Sequence, residues 1–255
     1  MKKLLTAILL IVLCVSLAGC GGDSTTTTTN SQDSQTYVQE EDVALTVEVP
    51  TEPFAYEITN YGAEIYDANG ESCRVRIFIE VKNTGKNPIR LTSGSIQLQD
   101  TDGNDVAYRN MYSGSFPKIL NSGEIGYYCE SPLISEITGP MDLIVIPDVS
   151  ASEYTSDYIR LEPIDVKVGD VVPGEIKASC KVQNNTDEDY TSVYFAVALY
   201  DAEDNFITMI NTFSNKVPAN QEVELYASSA QWGKIPADIT ASTVARYVAY
   251  AGVQP

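Results

Sequence analysis

Histidine is absent from all 255 residues. Its absence removes the commonest general base, the commonest metal ligand and the usual switch near neutral pH. Histidine-dependent serine and cysteine triads are excluded, and so are most zinc sites. Positive charge is scarce: 16 Lys and Arg stand against 35 Asp and Glu, for a net charge of −19. So acidic a chain is repelled by nucleic acid and by anionic headgroups, and favours cationic partners. Five cysteines include no Cys-x-x-Cys, which argues against a redox motif or a zinc knuckle. Tryptophan occurs once, as Trp232 in "SAQWGKIP". Gly233 and Pro236 follow it and point to a loop edge, where core packing and a ligand platform are both open. No long segment carries a convincing 3.6-residue period. The apolar run "LLTAILLIVLCV" is too short, with its flanks, for a stable transmembrane helix.

That run belongs to a leader. "MKK" supplies a positive start and "LAGC" closes the segment. The box resembles the bacterial lipobox, and the resemblance implies that Cys20 carries a diacylglyceryl thioether and becomes the mature N-terminus. An ordinary signal peptide cleaved nearby is the alternative. Two acyl chains suffice for stable anchoring. Removing residues 1–19 takes away Lys2 and Lys3 and no acid, so the mature balance is −21. The expected address is the extracytoplasmic face of the cell membrane, held by lipid rather than by charge. Residues 20–42, "CGGDSTTTTTNSQDSQTYVQEED", offer almost nothing to bury and read as a disordered tether. About twenty such residues span roughly 25 Å.

From residue 43 onward the pattern is that of strands. In "CRVRIFIEV" Cys73, Val75, Ile77, Ile79 and Val81 point one way, and Arg74, Arg76, Phe78 and Glu80 the other. In "EIKASCKVQ" the inward set is Ile176, Ala178, Cys180 and Val182. In "SVYFAVALYD" it is Val193, Phe195, Val197 and Leu199. Period two over such lengths marks half-buried strands. Turn clusters recur between them: "NTGKNP", "DTDGND", "NSGE", "NNTDED", "DAEDN" and "PANQE".

The strands repeat. Val81, Asn83, Ile96, Leu98, Asp100 and Asn104 are matched by Val182, Asn184, Val197, Leu199, Asp201 and Asn205, all at an offset of 101. Glu124, Ile125 and Tyr127 are matched by Glu222, Val223 and Leu225 at an offset of 98. Two copies of about a hundred residues fit two tandem Ig-like antiparallel β-sandwiches. The expected fold class is all-β, with domains at 43–148 and 158–255 and a boundary in "IPDVSASEYTSD". The second copy, through Asn184, "FAVALYD", the turn after it and "PANQE", resembles the FxLYD family of small bacterial extracytoplasmic sandwiches. The first resembles the related telokin-like Ig-like domains of lipoproteins, the DUF4352 type, with Gln99 where the second copy has Tyr200. The resemblance implies adhesion or binding modules without catalytic residues.

Three chemistries are weighed on these residues. "DTDGND" sets Asp100, Asp102 and Asn104 in calcium-like spacing. Counted as an EF-hand from Asp100, however, position 6 is Asp105 and position 12 is Met111, and the flanks are strands. A hairpin turn is the expectation, with a weak non-EF calcium site as the alternative. Asp187, Glu188 and Asp189 lie about 35 Å of strand away and cannot join it. Of the cysteines, Cys14 leaves with the leader, and Cys73, Cys129 and Cys180 remain in an oxidising compartment. Cys73 and Cys129 could both face the first core, so a disulfide between them is possible. Cys180 reads as a small buried thiol. Tyrosines at 127–128, 190, 194 and 200 fit either sandwich packing or a binding surface. The expected function is a non-catalytic binding or structural module at the cell envelope, without cofactor. Its partners are membrane lipid through the anchor and an extracytoplasmic protein or wall polymer, not nucleic acid. The alternatives are an envelope enzyme acting on glycans through paired carboxylates and a weak divalent-cation-responsive module.

Overall fold

The computed structural model describes residues 52–68, 71–112, 114–172, 174–229, 235–236 and 239–253. The leader, Cys20, the tether and Trp232 lie outside the described residues. Among the described residues, no helix is long and apolar enough to cross a membrane. Residues Glu48–Pro255 form one compact unit.

The architecture is all-β, in several antiparallel sheets. The first half holds β1 (Tyr56–Ala68), β2 (Cys73–Asn83), β3 (Ile89–Gln99), β4 (Asp105–Asn110), β5 (Ile119–Leu120), β6 (Ile125–Glu130), β7 (Leu133–Ile134) and β8 (Ile144–Glu153). One sheet runs β1-β2-β6, with β7 on β2. The other centres on β3, which pairs with β4, β5 and β8. The second half holds β9 (Arg160–Leu161), β10 (Ile164–Val172), β11 (Glu175–Gln183), β12 (Tyr190–Tyr200), β13 (Phe206–Val217), β14 (Glu222–Ser228) and β15 (Arg246–Val253). Its sheets are β10-β11-β14 and β13-β12-β15-β9.

The duplication holds at the level of individual pairs. Ile96 faces Arg109 and Leu98 faces Ala107 in the first half; Val197 faces Ile210 and Leu199 faces Thr208 in the second. Both hairpins bulge at the same place, between Leu98 and Gln99 and between Leu199 and Tyr200. A bulge bends its strand and resets which face a side chain meets.

Each half closes on its own core. Val75, Ile77, Ile79 and Val81 meet Ile96 and Leu98 in the first; Ile176, Val182, Val193, Phe195, Val197 and Leu199 form much of the second. Full burial of such a side chain contributes about 1.5–3 kcal/mol. Each core also carries one buried asparagine at the repeat position. The Asn83 amide donates to the carbonyls of Asn87 and Leu120, both at 2.9 Å, and its oxygen accepts from the Gly85 amide. The Asn184 amide donates to the carbonyls of Glu188, Val217 and Pro218, and its oxygen accepts from the Thr186 amide. Both asparagines are fully buried. They satisfy loop carbonyls that strand pairing leaves unmet, which explains why this polar residue recurs inside an apolar pattern.

A third apolar cluster joins the halves. Phe78, Ile125, Tyr127 and Cys129 on the outer face of the β1-β2-β6 sheet pack with Tyr194, Ala196, Ala198, Tyr200, Phe206, Met209, Val248 and Tyr250. Tyr127 stacks on Phe206 with ring centroids 5.9 Å apart, and Phe78 meets the same ring at 4.8 Å. Gly62, opposite Phe78 on β1, leaves room for that ring: a Cβ there would come within 2.8 Å of it. Alternation sets Arg76, Phe78 and Glu80 on the face away from the first core, and that face is covered as well. Arg76 and Glu80 are buried, and Arg76 donates to the Ile207 carbonyl of the second half and to the Glu64 carboxylate.

The segment between the halves is partly strand. Most of "IPDVSASEYTSD" is strand β8, which pairs with β3 out to Glu153 opposite Ile89. The connection that follows is short and pinned. Tyr158 donates to Asn121 at 2.6 Å, and Arg160 reaches back to the Ile119 carbonyl at 2.9 Å and to Glu124 at 2.7 Å.

Candidate functional site

The acidic turn is closed upon itself. One Asp100 oxygen accepts from the amides of Asp102 and Asn104, and the other accepts from the Asn104 side chain at 2.9 Å. These bonds hold the Asp100 carboxyl below the usual carboxylate range, the Asn104 side chain being the largest cause. Asp201 repeats the arrangement with the amides of Glu203 and Asn205 and the Asn205 side chain. Gly103 takes φ +84°, which glycine adopts without strain. Asp100, Asp102 and Asn104 are thus brought together as a hairpin turn. Among the described residues, no group of three or more Cys, Asp or Glu side chains is arranged to hold a metal ion.

Cys73 and Cys129 are both free thiols. Cys73 points into the first core, whereas Cys129 joins the cluster between the halves, 3.9 Å from the Thr208 hydroxyl. They lie on opposite faces of one sheet, so the possible bridge is not formed. Tyr127 and Cys129 do share a face, as alternation requires; that face abuts the second half rather than the first core. Cys180 is a core thiol, pushed up to about 12 by burial.

Burial also raises the pKa of one carboxyl, that of Glu80 in β2. The Asn60 amide donates to it at 3.2 Å, and Asn60, Arg246 and the Tyr200 hydroxyl pull the other way. Arg246 stacks 3.7 Å above the Tyr200 ring and pairs with Asp204. Glu80 therefore serves the junction between the halves.

A separate opening lies elsewhere. A cleft of about 710 Å³ is bounded by β3, the end of β4 and the segment that follows it, with Tyr128 of β6 and Ser152 of β8. Arg90 and Lys118 bring two positive charges; Thr92, Ser93, Ser115, Tyr112 and Asn110 bring hydroxyl and amide groups. No Asp or Glu is among its described lining residues. Tyr112 is 86% exposed, whereas Tyr128 and Ser115 are each only 1% exposed. Neither the Tyr128 nor the Ser115 hydroxyl has a hydrogen-bond partner of acceptable geometry. Burial pushes the Tyr128 phenol up to about 12, with the neighbouring Ser115 hydroxyl acting in the opposite sense.

Gly94 makes this arrangement possible. It faces Tyr128 across the sandwich, and a Cβ at Gly94 would stand 2.9 Å from the Tyr128 ring. The register in the second half has Phe195 for Gly94 and Leu225 for Tyr128, so the expected offset of 98, which set Leu225 opposite Tyr127, is one residue too long. The second copy therefore carries its ring on the other sheet and fills the same level with apolar atoms; the first copy brings in a hydroxyl.

The sequence patterns pointed to the turns and cysteines and missed the cleft. Arg90, Asn110, Lys118, Tyr128 and Ser152 are scattered singly. The one available signal was the Gly94–Phe195 exchange within the repeat. Comparison with known proteins finds no family model and no curated relative that matches the chain.

Proposed function

We propose that the chain is a lipid-anchored, extracytoplasmic binding module of the bacterial cell envelope, with the cleft between β3 and the segment after β4 as its binding site. The cleft carries this reading. It combines a volume in the range of small-ligand sites with convergent polar groups on a rigid scaffold. The leader with its lipobox-like "LAGC" supports the address, and the likeness of "FAVALYD" to FxLYD-type sandwiches supports a binding role over a catalytic one. The turns of Asp100 and Asp201 are structural in this reading, and the junction between the halves provides rigidity.

The test immobilises the full chain, solubilised in mild detergent, and exposes it to envelope material of its own cell. Wild type retains a defined component; Arg90→Gln with Lys118→Gln retains less. Retention unaffected by the double substitution, or no retention at all, refutes the assignment of the cleft. A Cys20→Ser chain recovered in the membrane fraction in the same yield refutes the lipid anchor.

A further inference from the structure

We propose that the cleft binds a small hydroxyl-rich anion: a sugar or polyol that carries a phosphate or a carboxylate. The inference rests on the binding-module reading and specifies its ligand.

Charge is the first observation. The chain has more than two acids for every base. Yet the described lining of the cleft has two cations and no acid. Among the described residues, Arg74, Lys82, Lys86, Arg90, Lys118, Lys167 and Lys177 form no ion pair, and two of them, Arg90 and Lys118, line this one cleft. In so acidic a protein, two cations left unpaired at one opening select for an anion, both in steering and in contact.

Size and polarity are the second. About 710 Å³ exceeds what a bare phosphate needs and fits a mono- or disaccharide. Hydroxyl and amide side chains beside the cations can exchange hydrogen bonds with a polyol, which both donates and accepts.

The third is the pair of buried hydroxyls without partners. Leaving such a group unpaired costs about 1–3 kcal/mol. The second half shows that this fold needs no hydroxyl there, because Phe195 and Leu225 occupy the equivalent positions. Tyr128 thus brings a polar group behind the wall of the cleft, beside the Ser115 hydroxyl, that the second half does without.

The same chemistry occurs in free sugar phosphates and at the ends of polyol-phosphate polymers, and the test separates the two. The full chain in mild detergent is titrated calorimetrically with glucose 6-phosphate, glucuronate, glucose, inorganic phosphate and a short glycerol-phosphate oligomer. The expected order places glucose 6-phosphate, glucuronate or the oligomer at least about tenfold tighter than either glucose or inorganic phosphate. Preference for the oligomer assigns a polymer end, and preference for the monomers a free metabolite. Arg90→Gln with Lys118→Gln weakens binding about tenfold or more, Lys177→Gln leaves it unchanged, and added salt weakens it. No heat with any anion up to about 10 mM, equal affinity for glucose, or indifference to the Arg90 and Lys118 substitutions overturns the proposal. If the probes fail while envelope material is still retained in an Arg90- and Lys118-dependent way, the ligand class is wrong and the binding-module reading stands. If both fail, both fall.

Discussion

The Tyr200 hydroxyl donates to the Tyr127 hydroxyl at 2.9 Å, and this buried bond spans the two halves of the molecule. Tyr200→Phe leaves the Tyr127 hydroxyl without its donor and costs about 1–3 kcal/mol. Tyr127→Phe costs less, because Glu80 and Arg246 remain beside the Tyr200 hydroxyl. Removing both hydroxyls costs less than the sum of the single changes. A double-mutant cycle in denaturant measures this coupling, and strict additivity contradicts it.

Glu80 makes stability depend on pH in a definite sense. Its carboxyl pKa is raised above the ordinary 4.5 in the folded state by burial. Between the ordinary and the raised value the folded chain holds more protons than the unfolded chain, so stability falls as pH rises through that window. Glu80→Gln removes the effect and keeps an oxygen for Asn60. The Gln variant is expected to gain Tm over wild type as pH climbs above about 4.5 and to match it below. A gap that is constant with pH refutes the account.

The two buried asparagines anchor loops rather than bind ligands. Asn83→Ala and Asn184→Ala each strand buried backbone carbonyls and are expected to cost about 2–4 kcal/mol. Asn184→Ala is the costlier, since Asn184 donates to three carbonyls and Asn83 to two. Urea titrations that rank them in the opposite order contradict this.

The turn aspartates are expected to behave alike. Asp100→Ala and Asp201→Ala each lower Tm modestly, and calcium moves neither variant nor wild type. Both carboxyls are held below 3.8 when folded, by their asparagine partners first. Their contribution is therefore complete above that value and lost as pH falls through the lower, folded one. A calcium-induced rise in wild-type Tm that Asp100→Ala abolishes restores the cation reading.

Much of the fold was legible from residues. Alternation in β2, β11 and β12 named the core faces, and the 101-residue offset matched both hairpin turns and paired Asn83 with Asn184, whose burial only the structure shows. The junction was not, because a strand's second face is judged polar or apolar one residue at a time. Arg76 and Glu80 already meet Glu64 and Asn60 of β1, but Arg76 gains the Ile207 carbonyl, and Glu80 the Arg246 and Tyr200 side chains, only when the second half arrives. A clue lay in "VYFAVALY", where both faces are apolar, the pattern of a strand covered on two sides. The cleft left no such clue, because its charges and hydroxyls converge only in three dimensions.

The cysteines give a simple check. Cys73, Cys129 and Cys180 are free and sit in apolar surroundings, with the Cys129 thiol also pushed up by burial. Alkylation is expected to be slow in the folded chain and fast in denaturant, where Cys73, Cys129 and Cys180 all react without prior reduction. Protection of Cys73 and Cys129 until reductant is added contradicts the structure.

The cluster around Phe78, Tyr127 and Phe206 bears on biogenesis. In a chain made from its N-terminus, the first sandwich can close before the second exists. Its outer face then offers Phe78, Ile125 and Tyr127 as an uncovered sticky patch until β12, β13 and β15 land on it. A chain cut after Glu153 should fold its first core and then self-associate. Completing the chain should cure it, so the second half acts as a built-in chaperone for the first.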